Sequence, residues 1–222
     1  KELEDPCTAE FLGYVRNGED ILNMKDHGID TADEIEVDAN IVAVVASRMD
    51  AGKTTLATKL IENLSEDYSI GSLKFTGSAR ERDRLSMYDA GSKISLDFVD
   101  TGLPSTVEDP EAVISSAKGL VNYAWREEDL DFIVVEFGAG LISNYRVQEV
   151  LRDLDMKETI FSVCAVSLDV VGAYGLKEIL EDPTAGKDTV EDYVGIPTCN
   201  AFREGEMEEA VEMVSEEFEA LD

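Results

Sequence analysis

The stretch Ile41-Val42-Ala43-Val44-Val45-Ala46-Ser47-Arg48-Met49-Asp50-Ala51-Gly52-Lys53-Thr54-Thr55 decides the fold class. Six consecutive apolar residues, four of them β-branched, read as a strand buried on both faces. A short polar loop follows, and Gly52-Lys53-Thr54-Thr55 opens a helix. That is the layout of a phosphate-binding loop, G-x-x-x-x-G-K-[ST], with Ser47 standing where the first Gly belongs. Backbone N–H groups of residues 49–54 can ring a β-phosphate, and the helix that follows directs its positive dipole end at the anion. Lys53 is placed to reach the β- and γ-oxygens, and the Thr54 hydroxyl to complete a Mg²⁺ shell. Ser47, Arg48, Met49, Asp50, Ala51, Gly52, Lys53, Thr54 and Thr55 are therefore the candidate nucleotide-binding residues. The plainer alternative is a helix that happens to begin Gly-Lys-Thr after a buried strand.

Working outward, strand-like and helix-like segments alternate from Ile41 onward, which predicts a parallel α/β sheet. The periodicity predicts a helix over Lys53–Leu64, a strand over Tyr68–Phe75 and a polar helix from Ala79 to about Gly91. Leu96 to Asp100 reads as a short strand or an ordered loop. Asp109-Pro110-Glu111 starts a helix towards Trp125, with Pro and acid in its first turn. Asp131 to Glu136 is a buried strand ending on a carboxylate, Tyr145 to Leu154 is amphipathic, and Ile160 to Ser167 is another buried strand. Tyr174 to Leu180 reads as a helix, Tyr193 to Thr198 as a last short strand, and Glu204 to Leu221 as an acidic helix.

Residues 1–38 differ in character. Arg16-Asn17-Gly18-Glu19 between two apolar runs signals a hairpin, and Glu34-Ile35-Glu36-Val37 alternates like a further strand. The segment is too small for its own core, so it reads as a small β-rich N-terminal segment, either the remainder of a domain or an arm on the main one. The expected division is 1–38 for this segment and 39–222 for the main domain. Because the chain begins at Lys1 without Met, further sequence upstream is expected.

Composition narrows the function. The chain has 222 residues, 44% of them hydrophobic, which suffices for one sizeable core. Forty-nine acidic residues against 19 basic ones give a net charge of −30, a field that repels nucleic acids and anionic membranes. A nucleotide is still acceptable, because Mg²⁺ and a local nest of N–H groups screen its charge. The acid is spread along the chain, as suits a high-salt cytoplasm or an ordinary acidic surface. Cys7, Cys164 and Cys199 are widely spaced and odd in number, which argues for a reducing, cytoplasmic compartment and against a disulfide framework or zinc site. The single His27 lies in a turn-like Lys-Asp-His-Gly and reads as a surface residue. No apolar stretch approaches a membrane span, and no signal peptide is visible.

Three segments place polar groups at strand ends, where ligands gather in open parallel sheets. They are the loop Ser47 to Thr54, Lys74-Phe75-Thr76-Gly77, and Glu136-Phe137-Gly138-Ala139-Gly140. Val134-Val135-Glu136 matches a strand whose terminal acid holds Mg²⁺. The order and rough spacing of these segments, with Asp83 in Asp83-Arg84-Leu85-Ser86-Met87 between them, resemble the dethiobiotin-synthetase-like branch of P-loop NTPases over residues 41–145. That branch carries a hydroxyl residue at the position of Ser47. Its relatives with an extra N-terminal domain look closer still, through Asp89-Ala90-Gly91 and the stretch from Asp97 to Thr106.

The resemblance implies a three-layer sandwich with a mostly parallel sheet, ATP and Mg²⁺ as cofactors, and a small anionic metabolite as substrate. It implies Thr54, Asp83 and Glu136 as metal ligands, and Lys53 and Lys74 as catalytic cations with Asp50 binding an amine or orienting a nucleophile. Thr76, Gly77, Arg80, Gly138, Ala139 and Gly140 become the substrate-side candidates. Related folds often place substrate sites across a dimer, so a homodimer is expected. Phe137, inserted where the branch has Gly, argues against assuming its substrate.

Other readings stay open. Arg80, Arg82 and Arg84 either grip an anion or pair with neighbouring acids; Asp97 and Asp100 are metal ligands or Asx turns. Ser105-Thr106 caps the next helix or contacts substrate. Ser167 and Asp169 line the cleft, Arg48 acts across a dimer, and Asn200 reads a base only as weaker expectations. Functionally, the leading expectation is an ATP-dependent enzyme that phosphorylates or ligates a small anionic metabolite through carboxylate or carbamate activation. The alternative is a nucleotide-switch or accessory NTPase in cofactor or metal-centre assembly. The absence of an Asn-Lys-x-Asp signature in the chain weighs against GTP. A degenerate loop that binds another phosphate-bearing ligand is the third reading.

Overall fold

The apolar run at Ile41–Ala46 forms a strand buried at every residue, at an inner position of a five-stranded sheet. The computed structural model describes residues 9–169, 171–173, 175–176 and 206–220. Seven strands fall within them: β1 (Arg16–Asn17), β2 (Asp20–Ile21), β3 (Ile41–Ala46), β4 (Ile70–Thr76), β5 (Ile94–Asp97), β6 (Phe132–Phe137) and β7 (Ile160–Val166). The helices include α1 (Lys53–Leu64), α2 (Glu81–Asp89), α3 (Pro110–Glu127), α4 (Val147–Arg152), α5 (Leu154–Thr159) and a further helix over Glu206–Glu219. β1 and β2 pair antiparallel in a small N-terminal sheet. The main sheet runs β5-β4-β6-β3-β7, and all its pairings are parallel.

Helices cover both faces, giving three layers. Alternate residues of the strands divide the core. Val42, Val44, Ile70, Phe132 and Val134 pack under α1, Met87 of α2 and Val214 of the last helix. Ala43, Val45, Leu73, Phe75, Ile133, Val135 and Phe137 pack under α3, α4 and α5. The α1 helix buries Leu56, Ala57, Leu60, Ile61 and Leu64, an i, i+4, i+8 stripe of the kind an amphipathic helix presents. Asp109 caps α3 by accepting from Glu111 N at 3.1 Å, with Pro110 in the first turn.

Among the described residues every pairing in the main sheet is parallel, and several boundaries shift. β4 starts at Ile70, α2 begins at Glu81 after an extended Arg80, and the amphipathic segment from Tyr145 splits into α4 and α5 at Asp153, whose Oδ1 accepts from Met156 N. Leu96–Asp100 is both strand end and turn: β5 passes directly into a 3₁₀ turn at Phe98–Thr101. β6 runs one residue past Glu136 to Phe137. The predicted segments over residues 174–180 and 193–198, together with Cys7, Cys199 and Asn200, lie wholly or mostly outside the described residues.

The expected strand at Glu34–Val37 does not form. Its backbone polar groups find side-chain partners instead of a strand. Glu36 N donates to Asn122 Oδ1 at 2.8 Å, Asn122 Nδ2 donates to Glu34 O at 2.9 Å, and Ile35 N donates to Asp155 Oδ2 at 3.3 Å. Lys118, buried on α3, donates to Asp33 O at 3.0 Å and pairs with Asp153 at 3.0 Å and Asp155 at 2.8 Å. This polar clasp binds residues 29–37 along α3 as an arm. The contact is close: a Cβ on Gly119 would overlap Asp30 O. The hairpin beyond it is short, and Phe11, Leu12, Tyr14 and Val15 are exposed. His27 is exposed in a 3₁₀ turn over Met24–His27. Among the described residues, no helix is long and apolar enough to cross a membrane.

Lys118 holds the Asp155 carboxyl below the usual carboxylate range, and hydrogen bonds to both aspartates outweigh the desolvation of Lys118 and raise its own pKa. A depressed carboxyl pKa stabilises the fold above its ordinary value of 3.8, and that contribution is lost as pH falls through the lowered one. Lys118→Ala should therefore cost about 2–3 kcal/mol near neutral pH and less in acid. Urea melts at two pH values and limited proteolysis of residues 29–37 check this; an unchanged cleavage rate there contradicts the clasp.

Candidate active site

A cleft of about 330 Å³ opens where β3, β4, β6 and β7 end. Its lining follows the strand ends in turn: Met49 to Gly52 after β3, Ser78 and Arg80 after β4, Gly138 and Ala139 after β6, and Leu168 after β7. Lys53, Thr54 and Thr55 of α1, Asp83 of α2, Lys74 and Glu136 complete it. α1 starts with Gly52 at φ 111 and no side-chain cap, so its first N–H groups face the cleft without an internal acceptor. Asp50 also adopts a left-handed φ of 59, which folds the loop back over the helix start.

Lys74 and Glu136 stand in register on β4 and β6, and Asp97 stands in register with Lys74 on β5. Parallel register puts the three side chains on one face, beneath α1 and α2. All three are at least 95% buried. Lys74 Nζ pairs with Asp83 Oδ2 at 2.5 Å. Glu136 Oε2 is buried and has no hydrogen-bond partner. Burial pushes the Glu136 carboxyl above its ordinary range; Lys74 pulls it back, Asp83 pushes further, and the Thr54 hydroxyl and Lys53 favour the charged form. Lys53 is shifted down by burial, opposed by Glu136 and Asp50, and its Nζ donates to Arg48 O at 3.1 Å.

The structure sorts the predicted residues. Met49, Asp50, Ala51, Gly52, Lys53, Thr54, Thr55, Lys74, Arg80, Asp83, Glu136, Gly138 and Ala139 meet in the cleft. Ser47, Arg48, Thr76, Gly77 and Gly140 do not line it. Ser47 N continues the β3 ladder to Val166 O, and the exposed Arg48 side chain turns to Met49 O. Thr76 Oγ1 donates to Gly138 O at 3.1 Å inside the wall. Gly77 and Gly140 serve close approach: a Cβ on Gly77 would meet Gly138 Cα at 3.0 Å, and one on Gly140 would meet Ser47 O at 2.8 Å.

Phe137 leaves the cleft altogether. As the residue after Glu136 it points to the opposite face of the sheet, where its ring meets Phe75 edge-on at 5.5 Å. Asp97 and Asp100 structure a turn: Val99 N donates to Asp97 Oδ1 and Asp97 N to Asp100 Oδ2, each at 2.8 Å. Of the three arginines only Arg80 lines the cleft; Arg84 pairs with Glu81 and donates to Ser95 O. Ser167 and Asp169 bond within their own loop, and Leu168 between them lines the cleft. Ser78 and Leu168 carried no motif in the sequence, and only the adjacency of strand ends reveals them.

No group of three or more His, Cys, Asp or Glu side chains converges among the described residues. Two carboxylates and a hydroxyl still suit Mg²⁺, which takes one or two protein carboxylates when phosphates supply other ligands. The orphaned Glu136 Oε2 fits such an ion, while Asp83 is already engaged by Lys74. No protein-family model matches the chain, and no curated protein matches its sequence.

Removing the charge of Glu136 should stabilise the empty protein. A raised folded-state carboxyl pKa means that stability is lost as pH rises through it. Glu136→Gln should therefore melt at a higher temperature than wild type near pH 8, with a smaller difference near pH 5. Thermal melts at both pH values test this; a less stable variant at the higher pH contradicts the reading.

Proposed function

We propose that the chain is a P-loop NTPase that acts as a Mg-ATP-dependent enzyme, phosphorylating or ligating a small anionic metabolite. The observation that carries the reading is Glu136: a buried carboxylate with one oxygen unpartnered, in the same cleft as an uncapped helix start bearing Lys53 and Thr54. A buried polar atom without a hydrogen-bond partner is costly, and a Mg-nucleotide would supply the partner that Glu136 Oε2 lacks.

The residues divide the work. The N–H groups of residues 49–54 and Lys53 take the β- and γ-phosphates. Thr54 and Glu136 would hold the ion, with Asp83 beside them, and Mg²⁺ would neutralise charge on the phosphate oxygens. Lys74 supports the transferring phosphoryl group and the attacking oxyanion. Arg80 has no ion-pair partner among the described residues, so its charge is available to the substrate. Gly138 and Ala139, the latter at φ 68, bring backbone close to the same place. Asp50, exposed at the loop tip, orients an amine or the nucleophile.

The nucleotide-switch reading would require a clear GTP preference, and calorimetry with MgATP and MgGTP separates the two. Lys53→Ala should abolish nucleotide binding, a loss of about 100-fold or more. Lys74→Ala should retain binding and lower turnover by about 100-fold. Calorimetry and phosphate release measure these effects; full turnover in Lys74→Ala would remove Lys74 from the mechanism.

A further inference from the structure

We infer that Thr106 is a positioning residue that sets the width of the substrate half of the cleft. The inference rests on the proposed function for its activity readout, and on hydrogen bonding alone for its structural one. Thr106 is fully buried and does not line the cleft. Neither expected role applies, since Asp109 caps α3 and the Thr106 side chain is sealed from any ligand.

Its hydroxyl instead joins three loops. Gly77 N, just after β4, donates to Thr106 Oγ1 at 2.9 Å. Thr106 Oγ1 donates in turn to Tyr145 O, just before α4, at 2.9 Å. An isolated bridge between Ser78 and Ser105 runs beside this pair. One hydroxyl that accepts and donates at once is available from Ser or Thr and from no aliphatic side chain.

The loops so joined carry the substrate-side groups. Ser78 and Arg80 follow Gly77, and Gly138 and Ala139 begin the loop that ends at Tyr145. At the base of the two loops Gly138 N donates to Thr76 O and Thr76 Oγ1 donates to Gly138 O, both at 3.1 Å. Thr106 adds the second fastening, farther along, so the two loops are held at two points rather than one. The phosphate-side loop takes its own bonds from β3, β7 and α1, with Ser47 N on Val166 O and Leu56 N on Gly52 O; it meets the loop after β6 where Leu141 N donates to Ala46 O at 2.8 Å, a bond that does not involve Thr106. Loss of the Thr106 hydroxyl should therefore loosen the substrate side and leave the nucleotide side intact.

Thr106→Val keeps the shape and removes both bonds; Thr106→Ser keeps both bonds. The tests are amide hydrogen exchange by mass spectrometry, MgATP calorimetry and basal MgATP hydrolysis. In Thr106→Val, exchange should accelerate at least tenfold in peptides covering residues 77–80 and 138–146, and stay within twofold in peptides covering 41–56. The Kd for MgATP should stay within threefold while kcat falls at least tenfold, and Thr106→Ser should restore kcat to within threefold of wild type. Uniform acceleration across the domain, or unchanged exchange at 77–80 and 138–146, overturns the inference. So does unchanged kcat with the local loosening present. Failure of wild type to bind MgATP overturns the proposed function and the catalytic part of this inference, and leaves the exchange pattern to judge the fastening itself.

Discussion

An ammonium and a carboxylate buried side by side at the carboxyl edge of a parallel sheet constrain the rest of this structure. Lys74 and Glu136 share a register on neighbouring strands and are almost wholly removed from water. Such a pair persists only where the surroundings satisfy it. Asp83 on α2 answers Lys74, Thr54 on α1 lies against Glu136, and one Glu136 oxygen is left over. Two helices, two strands and the loop before α1 are thus tied to one small volume. The leftover oxygen marks where binding energy remains available.

Close backbone approach is the second constraint. Gly77, Gly138 and Gly140 bring the loops after β4 and β6 against each other and against the loop after β3, at separations that a Cβ would breach. Farther from the cleft, Gly119 and the Lys118 clasp hold the N-terminal arm along α3 in the same tight manner. The arm leaves the cleft clear and covers the helical layer on the opposite face of the sheet.

Local chemistry made much of this legible before the fold was known. Residues 41–55 announce a buried strand, a loop and a helix through composition alone, and the α1 bounds fall where the pattern puts them. Lys74 and Glu136 could be picked out because each lies at or near the end of an apolar run, whereas Asp83, in a run of charged residues, was implied only by the family resemblance. What escaped depends on partners distant in sequence. The alternation at Glu34–Val37 resembles a strand, yet Asn122 and Asp155, far along the chain, take its backbone groups. Phe137 looks like an intrusion next to Glu136, but strand alternation sends it into the opposite core. Leu168 carries no motif, and Thr106, expected to cap a helix or touch substrate, bonds Gly77 N and Tyr145 O instead; both places depend on which strands lie adjacent.

The proposed Mg-nucleotide site combines Glu136 with the uncapped start of α1. A crystal structure with a non-hydrolysable ATP analogue and Mg²⁺ tests it most directly. The β-phosphate should lie within the N–H groups of residues 49–54, with Mg²⁺ about 2.0–2.1 Å from Thr54 Oγ1. Glu136 Oε2 should meet the ion directly or through one water. A nucleotide bound elsewhere, or bound here with Glu136 Oε2 still unpartnered, contradicts the account.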